Sequence, residues 1–248
     1  MTQLAYVVRE DWAQHGTTMV PQSAVIREWL GEPPYLFAVK DIRDFSPNSR
    51  RDADFETGKF IAPDSASRKV LAIQQLGRLD GADRTVTSAV VVLHPFEDAD
   101  LEALARAVNG GSLERVFVMI WSPRDIVRTW LDGLGATNLH TSATLPAPDP
   151  VMVEAGKSMV NEEYNGLGSG NGKDAVVQLV RAFTAAGYPL EVDAWLRAYF
   201  AAGGSFRHAK EVEKLVTEMK KGVKHRVKDR YRASIVEILR DRVTAPAK

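Results

Sequence analysis

Three short runs of continuously apolar residues constrain the fold of this chain more than any other feature. They are rich in β-branched and aromatic residues, and they comprise Leu4–Val8, Ser88–Leu93 and Arg115–Trp121. A strand that is apolar at every position is covered on both faces, which is typical of parallel sheets flanked by helices. Leu36–Val39 and Thr137–Thr141 are weaker strand candidates.

Helical patterns separate these strands. Apolar residues recur at helical spacing in residues 67–79, 98–108 and 123–134, and glycines lie at or near the end of each segment. Strands that alternate with helices form βαβ units. The sequence therefore predicts a Rossmann-like α/β domain with a mostly parallel sheet over residues 1–145.

A proline-rich stretch follows this predicted domain. Three prolines fall within the six residues from Leu145 to Pro150, which we interpret as the domain boundary. Beyond it the patterns are helical only, and they predict a small all-α domain over residues 151–248. Its last helix is expected to run from about Val223 to Val243.

Composition excludes several kinds of chemistry. The chain has 248 residues and no cysteine, which rules out disulfides, thiolate metal sites and cysteine nucleophiles. No two histidines have metal-ligand spacing, so we predict no metal site, and no motif identifies a cofactor. The sequence has no signal-peptide pattern and no apolar run long enough to span a bilayer, which predicts a cytoplasmic protein without a membrane partner.

Polar residues that follow the predicted strands are the candidate catalytic residues, because open α/β sheets bind ligands beyond the carboxyl ends of their strands. These residues are His94, Asp98, Asp100, Arg124, Asp125 and His140. A histidine beside carboxylates can remove a proton, and an arginine can hold a phosphate. One hypothesis is therefore a hydrolase or transferase acting on a phosphorylated or nucleotide-like substrate. It predicts that His94, Asp98, Arg124 and His140 converge on one pocket. Alternatively, the acidic residues merely begin helices.

Two polar stretches offer further candidates. Residues 41–64 form a long predicted loop that includes Arg50 and Arg51, and loops of this length often have a function. The glycine-rich stretch Gly166–Lys173 resembles a phosphate-binding loop. However, its glycine spacing and the acidic Asp174 depart from the Walker pattern. We interpret it as a flexible connector that leads into a helix at Asp174.

A strongly basic run near the carboxyl end, here called the basic segment (residues 220–232), is the main candidate for binding a partner. Residues 207–248 contain 13 basic and 6 acidic residues, whereas residues 1–150 contain 15 basic and 20 acidic residues. The cations of the basic segment are Lys220, Lys221, Lys224, Arg226, Lys228, Arg230 and Arg232. On the predicted last helix, Lys221, Lys224, Lys228 and Arg232 would form one cationic stripe.

Such a stripe suits a phosphate backbone, so the leading hypothesis is a nucleic-acid-associated binding or regulatory protein that contacts DNA or RNA. Two alternatives remain at this point. The segment can dock on the acidic residues 1–150, within one chain or across a homo-oligomer, or it is simply a solvated surface. A non-catalytic protein-interaction module is a further alternative.

Overall fold

The computed structural model describes residues 2–10, 19–47, 53–78, 89–111 and 113–245. The chain divides into two compact units. The first comprises residues 1–131 and 135–145, and the second comprises residues 132–134 and 146–248. Within the described ranges, no helix is long and apolar enough to cross a membrane.

Seven strands form one sheet in the described part of the first unit. They are β1 (Gln3–Val8), β2 (Tyr35–Val39), β3 (Arg68–Ala72), β4 (Ala89–Leu93), β5 (Arg115–Ile120), β6 (Thr137–Asn138) and β7 (Ala143–Thr144). Their order is β3-β2-β4-β5-β1-β6-β7, and each neighbouring pair is parallel except β6 and β7. The protein is therefore a mixed α/β protein with a mostly parallel sheet, as the apolar runs predict. The strand order differs from the 3-2-1-4-5-6 order of a Rossmann domain.

Strands β2 and β4 are parallel neighbours, but the chain continues from them to opposite sides along the sheet. It continues from β2 to β3 on one side, and from β4 to β5 on the other. With right-handed crossovers, the two connections pass to opposite faces of the sheet. A crevice then opens between them at the carboxyl ends of the strands, where ligands bind in open α/β sheets.

Helices cover the sheet. In the first unit they include α1 (Met19–Leu30), α2 (Ala53–Ile61) and α3 (Asp98–Asn109), and α4 (Ile126–Gly133) begins in this unit while its last two residues are grouped with the second. Helices α1 and α2 bury Ile26 and Ile61 in one apolar core. Sheet residues of the same core include Phe37, Val91 and Phe117, which are fully buried. The burial of Ile61 thereby anchors helix α2 to the sheet, and the first residues of this helix line the crevice next to β2.

The predicted helix over residues 67–79 is wrong. Residues Arg68–Ala72 form strand β3, and the 3-10 helix Ile73–Arg78 follows it. Among the described strands, β3 lies at the edge of the sheet and pairs only with β2, and most of its residues are half-buried. Its sequence therefore lacks the continuous apolar run that marks the central strands.

The stretch of residues 41–64 is also more structured than its polar composition predicts. It contains the 3-10 helix Ile42–Asp44 and helix α2, whose first turn carries Asp54 and Glu56. Carboxylates at this position stabilise a helix by interacting with its amino-terminal N–H groups. Arg50 and Arg51 lie outside the described residues.

The second unit is built from helices. They are α5 (Pro150–Val160), α6 (Gly170–Ala185), α7 (Val192–Ala201), α8 (Phe206–Lys220) and α9 (Ile235–Thr244). Their packing centres on aromatic residues at helical spacing in α7, where Trp195, Tyr199 and Phe200 are buried against Phe183 and Phe206. This aromatic cluster belongs to the core, as its spacing indicates.

Two predicted helix boundaries in this unit are wrong. Helix α6 begins at Gly170 rather than Asp174, so half of the expected connector belongs to its first turn. Helix α9 begins at Ile235 rather than near Val223, and residues 223–234 form no helix. The basic segment is therefore non-helical after the end of α8, and the cationic helical stripe does not exist.

Candidate functional sites

A cavity of about 210 Å³ lies at the carboxyl ends of β2, β4 and β5. Its lining comes from residues that follow these strands and from the start of α2, and comprises Lys40, Asp41, Asp44, Ala53, Asp54, His94, Phe96 and Trp121. These strands include the neighbours β2 and β4, between which the chain changes direction. The cavity therefore occupies the crevice that the topology predicts.

His94 is the central polar group of this cavity. Its side chain is only 3% exposed, and its Nδ1 lies 2.5 Å from Oδ1 of Asp54 in α2. The imidazole also stacks on the indole of Trp121 at a centroid distance of 4.0 Å. The φ angle of His94 is +47°, which is uncommon for a residue other than glycine. Backbone conformations of this kind concentrate at functional sites.

The partners of His94 determine its tautomer. An ionised carboxylate only accepts hydrogen bonds, so Nδ1 carries the proton and donates a hydrogen bond to Asp54. The second ring nitrogen, Nε2, then presents a lone pair, and it is buried with no hydrogen-bond partner among the described residues. Burial lowers the pKa of His94, and the hydrogen bond to Asp54 opposes that shift. The ring is thus a neutral hydrogen-bond acceptor at neutral pH.

The other candidate catalytic residues do not line this cavity. Asp98 and Arg124 are exposed near the starts of α3 and α4, and Asp125 accepts a hydrogen bond from the backbone N–H of Ser122 at 3.0 Å. His140 follows β6, three strands from β4 and thus about 14 Å across the sheet. Its Nδ1 contacts Nε2 of Gln22 at 3.0 Å. The expected convergence of the four named residues on one pocket is not found.

Asp100 is buried in the first turn of α3. Its Oδ1 accepts a hydrogen bond from Nε2 of Gln74 at 3.2 Å, and burial raises the pKa of its carboxyl group. Gln74 belongs to the 3-10 helix that packs on α3. Asp100 therefore joins these two elements, and it is not part of the lining of the cavity.

Sequence patterns alone missed most of the residues around His94. Asp54 lies in the stretch that was expected to be a loop, and Trp121 was included in the third predicted strand. Lys40 and Trp121 are the first residues after β2 and β5, so the strand-end rule that selects His94 applies to them as well. In the described ranges, no group of three or more histidine or acidic side chains is placed to hold a metal ion.

The variant Asp54→Asn is expected to lower the pKa of His94 further. The carboxylate favours the protonated imidazole through its hydrogen bond and its charge, whereas an amide oxygen can still accept the hydrogen bond but carries no full charge. Titration of the imidazole ¹⁵N resonances by NMR measures this effect. Asp44→Asn is the control, because it removes a charge from the same cavity but keeps the Asp54–His94 hydrogen bond. An equal shift in both variants would contradict a specific pair.

The basic segment is the second candidate site. The side chain of Gln178 in α6 holds it through backbone groups: Nε2 donates to the carbonyl oxygen of Lys228 at 2.6 Å, and Oε1 accepts from the N–H groups of Arg230 and Tyr231 at 2.7 and 3.0 Å. Arg181 donates to the carbonyl oxygen of His225 at 2.6 Å. One face of α6 therefore fixes the path of the segment.

Exposure alternates along the segment with a period of two residues. From 224 to 232 the even positions carry exposed cations, which are Lys224, Arg226, Lys228, Arg230 and Arg232. The odd positions His225, Val227 and Tyr231 are half-buried, whereas Asp229 is exposed and the backbone bends at Tyr231. This alternation is typical of an extended backbone, in which side chains on one side recur about every 6.6 Å.

Five cations of the segment remain open to a partner. Lys220 pairs with Glu191 and Arg230 pairs with Glu162. In the part of the chain that the structure describes, the others form no ion pair, and they are Lys221, Lys224, Arg226, Lys228 and Arg232. Only Asp229 opposes them within the segment. The segment is thus a fixed, exposed row of positive charge.

Comparison of the chain with protein-family models, with curated proteins and with solved structures finds no match.

Proposed function

We propose that this protein binds the sugar–phosphate backbone of DNA or RNA through the basic segment. The observation that carries the proposal is the group of five exposed cations in the segment that form no ion pair with the described residues. Each cation that neutralises a phosphate releases a condensed counterion, and this release supplies affinity that does not depend on base sequence. In this proposal, the protein acts in the cytoplasm and the first unit serves as a ligand or partner module.

The extended conformation supports a different contact from the cationic helical stripe that the sequence predicts. Cations on a helix would contact the nucleic acid along one helix face, whereas an extended row of cations follows a single backbone. Lys224, Arg226 and Lys228 occupy alternate positions and are spaced by about 6.6 Å, a distance of the same order as the repeat of an extended nucleic-acid strand. Because Gln178 and Arg181 already fix the segment, binding loses less conformational entropy than it would with a free tail.

Fluorescence anisotropy with a labelled single-stranded 30-nucleotide DNA of mixed sequence tests this proposal, with the duplex form in parallel. Binding is expected to weaken as salt increases, with a slope of log K against log salt of about −3.5 for the single strand if all five cations engage. The triple variant Lys224→Glu, Arg226→Glu, Lys228→Glu is expected to bind at least ten-fold more weakly. Its slope should be smaller in magnitude by about 2.

The control is a triple variant with the same change in net charge at exposed positions of the first unit, Lys69→Glu, Arg106→Glu, Arg124→Glu. It should retain most of the affinity for the oligonucleotide. Equal losses in the two triple variants would show that only overall charge matters, and would overturn the proposal. Unchanged binding after reversal of the three segment charges would overturn it too, because the contact with DNA would then lie elsewhere on the protein.

A further inference from the structure

The strand-end cavity has a polar group that no described part of the protein satisfies. Nε2 of His94 is buried, has no hydrogen-bond partner among the described residues and belongs to a side chain that lines the cavity. Buried polar atoms in proteins are almost always paired, and an exception calls for an explanation such as a ligand. Because Nδ1 donates to Asp54, Nε2 is an acceptor. The missing partner is therefore an N–H or O–H donor.

The charges around the cavity select against an anion. Three carboxylates line it, those of Asp41, Asp44 and Asp54, and Lys40 is the one cation among its described lining residues. Asp41 is paired with Arg43, so the negative charge that faces the cavity comes mainly from Asp44 and Asp54. Lys40 already forms an ion pair with Glu97. A phosphate group would meet net negative charge here, whereas hydroxyl and amine groups could donate hydrogen bonds to the carboxylates.

Aromatic side chains form the apolar part of the wall. Phe96 is 54% exposed and Trp121 is 42% exposed, although both rings are large and apolar. Lys40 Nζ lies 4.3 Å from the centroid of the Phe96 ring, and Arg9 Cζ lies 4.6 Å from that of Trp121. Much of the Phe96 ring remains uncovered and is available for stacking. A flat ring system is the partner that such a surface favours.

From these observations we propose that the cavity binds an unphosphorylated nucleoside, whose base stacks on Phe96 and whose N–H or O–H group donates to Nε2 of His94. The ribose hydroxyls then donate to the carboxylate of Asp44, whereas the oxygens of Asp41 already accept from Arg43. The volume of about 210 Å³ equals the space of about seven liquid water molecules, which suits a small ring system rather than a dinucleotide.

The same geometry gives His94 a chemical role. A water or ligand hydroxyl that is bonded to Nε2 can transfer its proton to the ring, and Asp54 then stabilises the resulting imidazolium. His94 regains its neutral form when the proton returns to the hydroxyl oxygen.

Ligand-detected NMR with adenosine, guanosine, cytidine and uridine at up to 10 mM tests the proposal on the full chain. At least one nucleoside is expected to bind with a Kd of about 1 mM or lower. Its 5′-monophosphate should bind several-fold more weakly because of the lining carboxylates. Phe96→Ala is expected to weaken binding about ten-fold, as loss of base–aromatic stacking does.

Two further variants refine this test. His94→Asn removes the acceptor nitrogen, and asparagine tolerates the positive φ angle at this position better than most residues, so the fold should persist while binding weakens. Tyr164→Ala is the matched control, because Tyr164 is an aromatic residue with 86% exposure in the second unit. It should leave nucleoside affinity unchanged.

The outcomes are separable from those for nucleic-acid binding. Nucleosides carry no phosphate, so reversal of charge in the basic segment should not alter their binding. Three results would overturn the proposal: absence of binding by all four nucleosides at 10 mM, equal affinities of Phe96→Ala and Tyr164→Ala, or tighter binding of the monophosphate than of the nucleoside.

Discussion

Replacement of Gly172 by alanine is expected to destabilise the second unit by about 2–3 kcal/mol. A Cβ atom at this position would lie 2.0 Å from the carbonyl oxygen of Gly166 and 2.9 Å from its carbonyl carbon. Both contacts are to backbone, so no side-chain rotation relieves them. The overlap would push the first turn of α6 away from the preceding turn. Val176 and Phe183 of the same helix are fully buried, so a shift would also disturb the core.

Hydrogen exchange of α6 peptides in increasing urea, followed by mass spectrometry, measures this loss in the full chain. Gly77→Ala is the control, because a Cβ there meets no atom within 4 Å. That variant should change stability by about 0.5 kcal/mol or less. Unchanged protection of α6 in Gly172→Ala would show that the glycine-rich stretch is a loose connector.

The glycine-rich stretch illustrates a limit of composition. A glycine serves a flexible linker and a close backbone contact equally well, and the sequence does not distinguish them. Half of the predicted connector is the first turn of a helix, and Gly172 is required there because a neighbouring backbone approaches it. The contact joins residues six apart through a turn at Gly166, and no periodic pattern reports it.

The central strands were predictable because burial on both faces leaves a continuous apolar run. That condition holds for β1, β4 and β5, each of which has a strand on both sides. It fails for β3 at the edge, where half-buried residues mixed with polar ones matched a helical spacing. The prediction of a loop over residues 41–64 was wrong for a related reason, since the short helix α2 is rich in polar residues and has no long apolar stripe.

The candidate site was predictable only in part. His94 follows a strand directly, and the strand-end rule selects it. Asp54 lies 40 residues earlier in the chain, so their pairing depends on how α2 packs on the sheet. His140 obeys the same rule but lies three strands away, because local patterns do not determine the order of strands. The rule therefore finds the correct edge of the sheet and not the group that assembles there.

The spacing of the cations in the basic segment fits both a helix and an extended chain. Lys224, Lys228 and Arg232 are spaced by four residues, which is close to one helical turn and is also two repeats of an extended chain. Positions 226 and 230 distinguish the two, because their cations share a side with the others only in an extended backbone. The alternation with His225, Val227 and Tyr231 supports the extended form.

Loss of the Gln178 side chain is expected to release this segment from α6. In Gln178→Ala, the backbone N–H groups of Arg230 and Tyr231 lose their acceptor. Two hydrogen bonds of about 1 kcal/mol each correspond to roughly thirty-fold faster exchange of these two amides, provided that opening is local. Amide exchange followed by ¹H–¹⁵N NMR measures the change. Affinity for the single-stranded DNA should fall several-fold as well, because binding must then order the segment.

Gln178→Glu separates the hydrogen bonds from the bulk of the side chain. A carboxylate can still accept from the N–H groups of Arg230 and Tyr231, but it cannot donate to the carbonyl oxygen of Lys228. Protection of the two amides should therefore be intermediate between that of the original chain and that of Gln178→Ala. Equal exchange in all three proteins would mean that contacts other than Gln178 hold the segment. The conformation of the segment would then not depend on Gln178, and the affinity for nucleic acid would rest on the row of charge alone.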